Sequence, residues 1–224
     1  MSNWKRIHVL CEGQTEEFFV NKCLSPYLEN NNKTITSSCV ITNLRLNKKG
    51  GMSTYGKPKF EILQKLNEQI KQNDFYLTTM FDFYALPNNF PDYETAQKEQ
   101  DPYQKIARLE NAFADDIANA NFIPYIQLHE FEALLLVESS PLDLQFFEKE
   151  TEIQQLMQLK NAHEGNTELI NEGRETAPSK RIIELIPSYK NVDIDAFMEY
   201  MPPIETLKLH CPHFKSWVEK LESL

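Results

Sequence analysis

The stretch that most constrains the fold is RIHVLCEGQTEEFF, residues 6–19. An apolar run, Ile7 to Cys11, meets Glu12-Gly13, and a helical pattern then opens at Thr15. This reads as a buried strand, a tight glycine turn and a first helix. The turn places Glu12 at the carboxyl end of the strand and Glu16 one helical turn further on. In open α/β sheets, ligands bind outside the carboxyl ends of the strands, so this is where chemistry is expected. Helical residues four apart approach to about 5–6 Å between Cβ atoms, close enough for Glu12 and Glu16 to reach one hard cation. Glu16 and Glu17 would also suit the positive end of the helix dipole, and by themselves they require no metal.

The same grammar repeats along the chain. The first helix should end near Asn30-Asn31-Asn32, and Cys39 to Leu44 reads as a second strand. LRLNKKGGMSTYGKPKF follows, with five basic residues, three of the six glycines and no acid between Arg45 and Lys59. Lys48, Lys49 and Lys57 make this either a phosphate-binding loop or a solvated one. Apolar positions 60, 62, 63, 66 and 70 form a helical stripe. Phe75 to Phe81 is a third strand, closed by Asp82, and 85–102, with Pro87, Pro91 and Pro102, reads as an irregular lid. A helix resumes over 106–120. Phe122 to Leu128 is a fourth strand, ending on His129-Glu130-Phe131-Glu132. If 129–132 stay extended, Glu130 and Glu132 share a side; if a helix starts at once, His129 and Glu132 do. Either acid could also be a cap ahead of Ala133–Val137.

From Ser139 strands disappear, and helices are expected over 141–149, 151–163, 179–186, 193–200 and 214–222. In GRETAPSKRIIELI, Thr176, Pro178 and Ser179 are helix-start residues. Lys180 and Arg181 then fall in the first turn, where the dipole disfavours cations. A bound anion would reconcile them; so would a salt bridge. His210-Cys211-Pro212-His213 has no second ligand pair at zinc-finger spacing and reads as a packed corner.

A length of 224 residues suffices for a substantial core. The expected division is an α/β domain over 1–138 and a helical extension over 139–224. The four cysteines form no CxxC pair, which fits reduced thiols and a cytoplasmic setting. No apolar run reaches membrane-spanning length. The net charge of −10 argues against a wholly basic nucleic-acid binder. Its distribution matters more. Residues 1–60 hold nine Lys/Arg against four Asp/Glu, and the rest hold fourteen against twenty-nine. The first quarter can present a positive face.

EGQTEEFF resembles the first motif of Toprim-type domains, in the EGxTE form of overcoming-lysogenization-defect nucleases. FDFYALP, HEFEALLL, ETAPSKRI and CPHF, in that order, resemble a Toprim-like bacterial domain of unknown function, number four-two-seven-six, over residues 12–214. The resemblance implies a Toprim-like, Rossmann-type α/β fold with a mostly parallel sheet and a helical C-terminal part. It implies Mg²⁺- or Mn²⁺-dependent phosphodiester hydrolysis on DNA or RNA. Glu12, Glu16 and Asp82 would hold metal, Glu130 or Glu132 would ligate it or act as base, and Lys180 and Arg181 would stabilise transition-state charge. An ATPase partner in an anti-phage module is implied too, and self-association is open. The Toprim Asp-x-Asp pattern departs here to Asp82-Phe83-Tyr84, which counts against two cations. The rival expectation is a non-catalytic sensor or regulatory partner of an ATPase.

Overall fold

A computed structural model describes residues 4–43, 48–49, 52–171 and 173–224. They form two compact units, Met1–Ile126 with Leu224, and Gln127–Ser223. The division falls after residue 126, where the sequence had suggested an α/β domain running to 138.

The first unit is built on a parallel sheet. Strand β1 (Lys5–Cys11) is followed by α1 (Gln14–Phe19), a π-helical turn (Val20–Leu24) and α2 (Ser25–Glu29), leading to β2 (Lys33–Cys39). Next come β3 (Ile41–Asn43), β4 (Lys48–Lys49), α3 (Gly56–Glu68) and β5 (Phe75–Asp82). A single turn, α4 (Tyr93–Ala96), the long α5 (Pro102–Ile117) and the short β6 (Phe122–Ile123) complete it. The strand order is β2-β1-β5-β6, with every one of these pairings parallel. Starting from β1, the chain first fills one side of the sheet with β2 and then the other with β5. The carboxyl ends of β1 and β5 therefore flank the point where the strand order reverses, the usual ligand crevice of such sheets.

Two expectations change here. The second strand of the sheet is Lys33–Cys39, while Ile41–Asn43 pairs antiparallel with Lys48–Lys49 in a separate ribbon. KTITSSC alternates short polar with apolar residues, and its polar face meets His8 instead of a hydrophobic layer. The segment 85–102 is not a loose lid. Leu86, Phe90 and Ala96 are buried, and the Phe90 ring lies 5.0 Å from both the Tyr55 and the Phe113 ring centroids. Phe113 also packs edge-on against Phe122 at 4.8 Å. These aromatic contacts fasten α5 and the proline-rich segment over the sheet.

His8 projects from β1 toward the hydroxyls of β2, Nδ1 lying 2.9 Å from Thr36 Oγ1 and Nε2 3.0 Å from Ser38 Oγ. Burial, reinforced by the nearby Lys65 charge, lowers its pKa from 6.5 to about 4. The unfolded chain thus binds a proton that the folded one refuses. Stability is full above pH 6.5 and falls as the pH drops towards 4, by on the order of 3 kcal/mol in all. Urea titrations at pH 7 and pH 4.5 should show this loss in the native protein and a smaller one in His8→Gln; equal losses would contradict it.

The second unit is helical. It holds α6 (Glu132–Leu135), α7 (Ser140–Gln145), α8 (Glu150–Ala162), α9 (Pro178–Leu185), α10 (Ile194–Phe197), α11 (Ile204–His210) and α12 (Pro212–Glu222). Its core gathers Leu135, Leu142, Leu156, Ile182 and Phe197 around α7, α8 and α9. Among the described residues no helix is long and apolar enough to cross a membrane.

Candidate functional site

At the switch point the two strand-end acids are neighbours, the Glu12 carboxylate reaching the Asp82 backbone. The Glu12 amide extends the sheet ladder by donating to Met80 O at 3.0 Å. The Glu12 side chain then turns across, and its Oε2 accepts the Asp82 amide at 3.2 Å. Both residues are half-buried. Residues 70 positions apart are thus neighbours because β1 and β5 pair in parallel and end together. One Asp82 oxygen, Oδ1, is buried without a hydrogen bond among the described residues, while the residue keeps other interactions.

Glu16 follows a different path. Its Oε2 accepts the Gly13 amide at 2.8 Å, so the side chain folds back on the start of α1. Burial raises the Glu16 pKa, and its backbone hydrogen bonds oppose the rise. A Cβ at residue 13 would lie 3.2 Å from that same Oε2. Gly13 is extended, at φ −141°, so glycine serves here for close approach and not for a left-handed turn. Beside it, the Cys39 thiol donates to Glu17 Oε2 at 3.1 Å. The structure therefore brings Glu12 and Asp82 together and ties Glu16 into the turn.

Glu130 and Glu132 belong to the second unit. Neither of the two conformations expected for 129–132 occurs. His129 is left-handed, at φ +66°, ahead of α6. Such a backbone is strained for a residue other than glycine; the Asn171 side-chain amide donates to its Nδ1 at 3.1 Å. Glu130 Oε2 accepts the Ser179 amide at 3.1 Å, at the start of α9. A carboxylate of the chain itself therefore lies at the amide end of α9. Lys180 is exposed, and Arg181 Nε donates to Thr176 O at 3.3 Å. Glu132 Oε1 accepts from the Tyr189 hydroxyl at 3.1 Å.

Of the basic stretch, Lys57 is exposed in the first turn of α3. The backbone of Lys48 and Lys49 forms β4, and their side chains lie outside the described residues, as do 44–47, 50 and 51 entirely. Among the described residues no group of three or more His, Cys, Asp or Glu is arranged to hold a metal ion.

The histidine-cysteine corner is structural. His210 Nδ1 lies 2.9 Å from Gly165 O, and its Nε2 lies 3.4 Å from Lys160 Nζ. Sequence reading passed over Glu168, which is fully buried and accepts the His213 and Phe214 amides, both at 2.9 Å. It caps α12 from 45 positions away, and no local pattern announces such a cap. None of the four cysteines is in a disulfide.

No curated protein and no solved structure matches the chain. A family profile described as "Domain of unknown function (DUF4276)" matches residues 11–222, a span that takes in Glu12, Asp82, the HEFE segment and the Glu168 cap. The chain belongs to the DUF4276 family.

Proposed function

We propose that the first unit is a Toprim-like phosphoryl-transfer domain that hydrolyses phosphodiester bonds of nucleic acid with one Mg²⁺ or Mn²⁺. The observation that carries this reading is the contact of Glu12 with Asp82 at the switch point of the sheet. Two carboxylates suit a hard cation. Mg²⁺ commonly takes only one or two protein carboxylates and completes its shell with water and substrate phosphate. The donor set fits one such ion, held by Glu12 and Asp82. Two ions do not fit, because Tyr84 stands where a second acid would follow and Glu16 is bound to Gly13.

When bound, the cation would neutralise phosphate charge and lower the pKa of a water molecule. The protein's own part is positional. The Asp82 amide holds the Glu12 carboxylate beside the end of β5 without a metal. The excess of Lys and Arg in residues 1–60, Lys57 among them, would attract the polyanion. Lys48 and Lys49 belong to this reading by sequence.

Glu130, Glu132, Lys180 and Arg181 keep a place in the proposal only in the second unit. There Glu130 accepts from the Ser179 amide and Glu132 from the Tyr189 hydroxyl, and the exposed Lys180 is available to phosphate. A cytoplasmic setting rests on the cysteine pattern, and an ATPase partner on the Toprim resemblance.

The departure at Tyr84 favours a second reading, in which the domain is a non-catalytic regulatory partner of an ATPase. Incubating the purified chain with labelled single- and double-stranded DNA and RNA, in Mg²⁺, Mn²⁺ or EDTA, separates the two. Metal-dependent cleavage supports hydrolysis. Its absence for every substrate, with and without an ATPase partner, supports the regulatory module.

A further inference from the structure

At the opposite end of the sheet from Glu12, a cavity of about 250 Å³ opens over β1 and β2. Arg6, His8, Thr34, Thr36 and Phe75 of the strands line it, with Lys65, Glu68 and Gln69 of the α3 region. Its size lies just under the ~300–1,000 Å³ of drug-sized pockets, so an occupant must be small.

The charges around it are unequal in consequence. Arg6 is matched by Asp74, at 2.9 Å from both Nε and Nη2. Glu68 is exposed and already accepts from Gln64 at 3.0 Å. Glu61 accepts the Ile41 amide at 2.9 Å. Lys65 is half-buried and forms no ion pair among the described residues, though its charge reaches His8 and Glu61. A half-buried ammonium held in no ion pair attracts an anion, and the exposed Glu68 opposes it less because solvent screens its charge.

The donors point the same way. A neutral imidazole has one N–H and one acceptor nitrogen. His8 sits between two hydroxyls, so it donates to one and accepts from the other. The hydroxyl that accepts from the ring keeps its own proton for another partner. With the ring proton on Nδ1, that hydroxyl is Thr36, which lines the cavity. Gln69 Oε1 is taken by Arg6 Nη1 at 3.3 Å, which leaves the Gln69 amide group to donate as well.

We propose that this cavity binds a small oxyanion, a phosphate, sulfate or carboxylate group, through Lys65 and the hydroxyls of Thr34 and Thr36. The site needs no divalent cation and is independent of the reaction proposed at Glu12 and Asp82. An anion there would offset the Lys65 charge on His8 and ease protonation of the ring.

The probe is sulfate, which keeps one charge state over the range of interest, titrated into the full chain at constant ionic strength and followed by NMR. Saturable shifts at His8, Thr36 and Lys65 are expected, with a rise of about one unit in the His8 pKa. Lys65→Gln should weaken binding about tenfold or more. Thr34→Val should weaken it less, and Lys71→Gln should leave it unchanged. The proposal is overturned if His8 shows no saturable response, or if Lys65→Gln binds sulfate as the native chain does. A second variant, Thr36→Val, decides the matter should Lys65→Gln fail to fold.

Discussion

Glu12→Gln and Asp82→Asn should each lower metal-dependent cleavage at least about a hundredfold while the fold persists. Both substitutions keep the size of the side chain and remove the charge that a divalent cation requires. Glu12→Gln retains a carbonyl oxygen for the Asp82 amide, so the crossing between β1 and β5 survives it. Melting temperature in the absence of metal should stay level or rise, because neighbouring carboxylates repel one another. Activity that survives both changes would refute the site. Loss of activity together with loss of the folded baseline would show only that the pair is structural, and the melting curve separates the two outcomes.

The largest effect on stability is expected at Glu168. Its two oxygens satisfy the His213 and Phe214 amides at the start of α12, inside a fully buried setting. Glu168→Ala would leave both amides without an acceptor and a cavity behind them. Bonds to a charged acceptor are worth about 1.5–3 kcal/mol each, so a loss of roughly 3–5 kcal/mol is expected. Glu168→Gln keeps one acceptor and should cost about half as much. Urea unfolding reads both values; a change below about 1 kcal/mol for Glu168→Ala would contradict the assignment. The helix at stake carries Phe214, Trp217, Val218 and Leu221 into the interior, so the cap and the core are lost together.

What was legible in the sequence was local. The strand, glycine turn and helix of residues 5–19 could be read because apolar period, Gly13 and the acidic first turn agree with one another. Strand β5 was legible for the same reason, an apolar run closed by Asp82. Strand β2 was not, because its outward face is threonine and serine and gives no hydrophobic signal. Helix α11 was missed because Ile204 and Leu207 are its only buried residues, between prolines on both sides.

The site divides in the same way. Placing Glu12 and Asp82 at strand ends needed only the chain itself, whereas their contact depends on the order of strands in the sheet. Glu16 was read towards a cation because four-residue spacing permits it. One of its oxygens, Oε2, accepts the Gly13 amide in the structure. Glu130 and Glu168 accept helix-start amides 49 and 45 residues later in the chain, and long-range caps of that kind leave no periodicity to read.

The claim at the centre of this account is that Glu12 and Asp82 hold a divalent cation. Crystals of the full chain soaked in Mn²⁺ test it most directly, through the anomalous signal of the metal. The account predicts one peak within coordinating distance of both carboxylates, absent from Asp82→Asn crystals treated alike. A soak that leaves that position empty while Mn²⁺ binds elsewhere, or not at all, would contradict it.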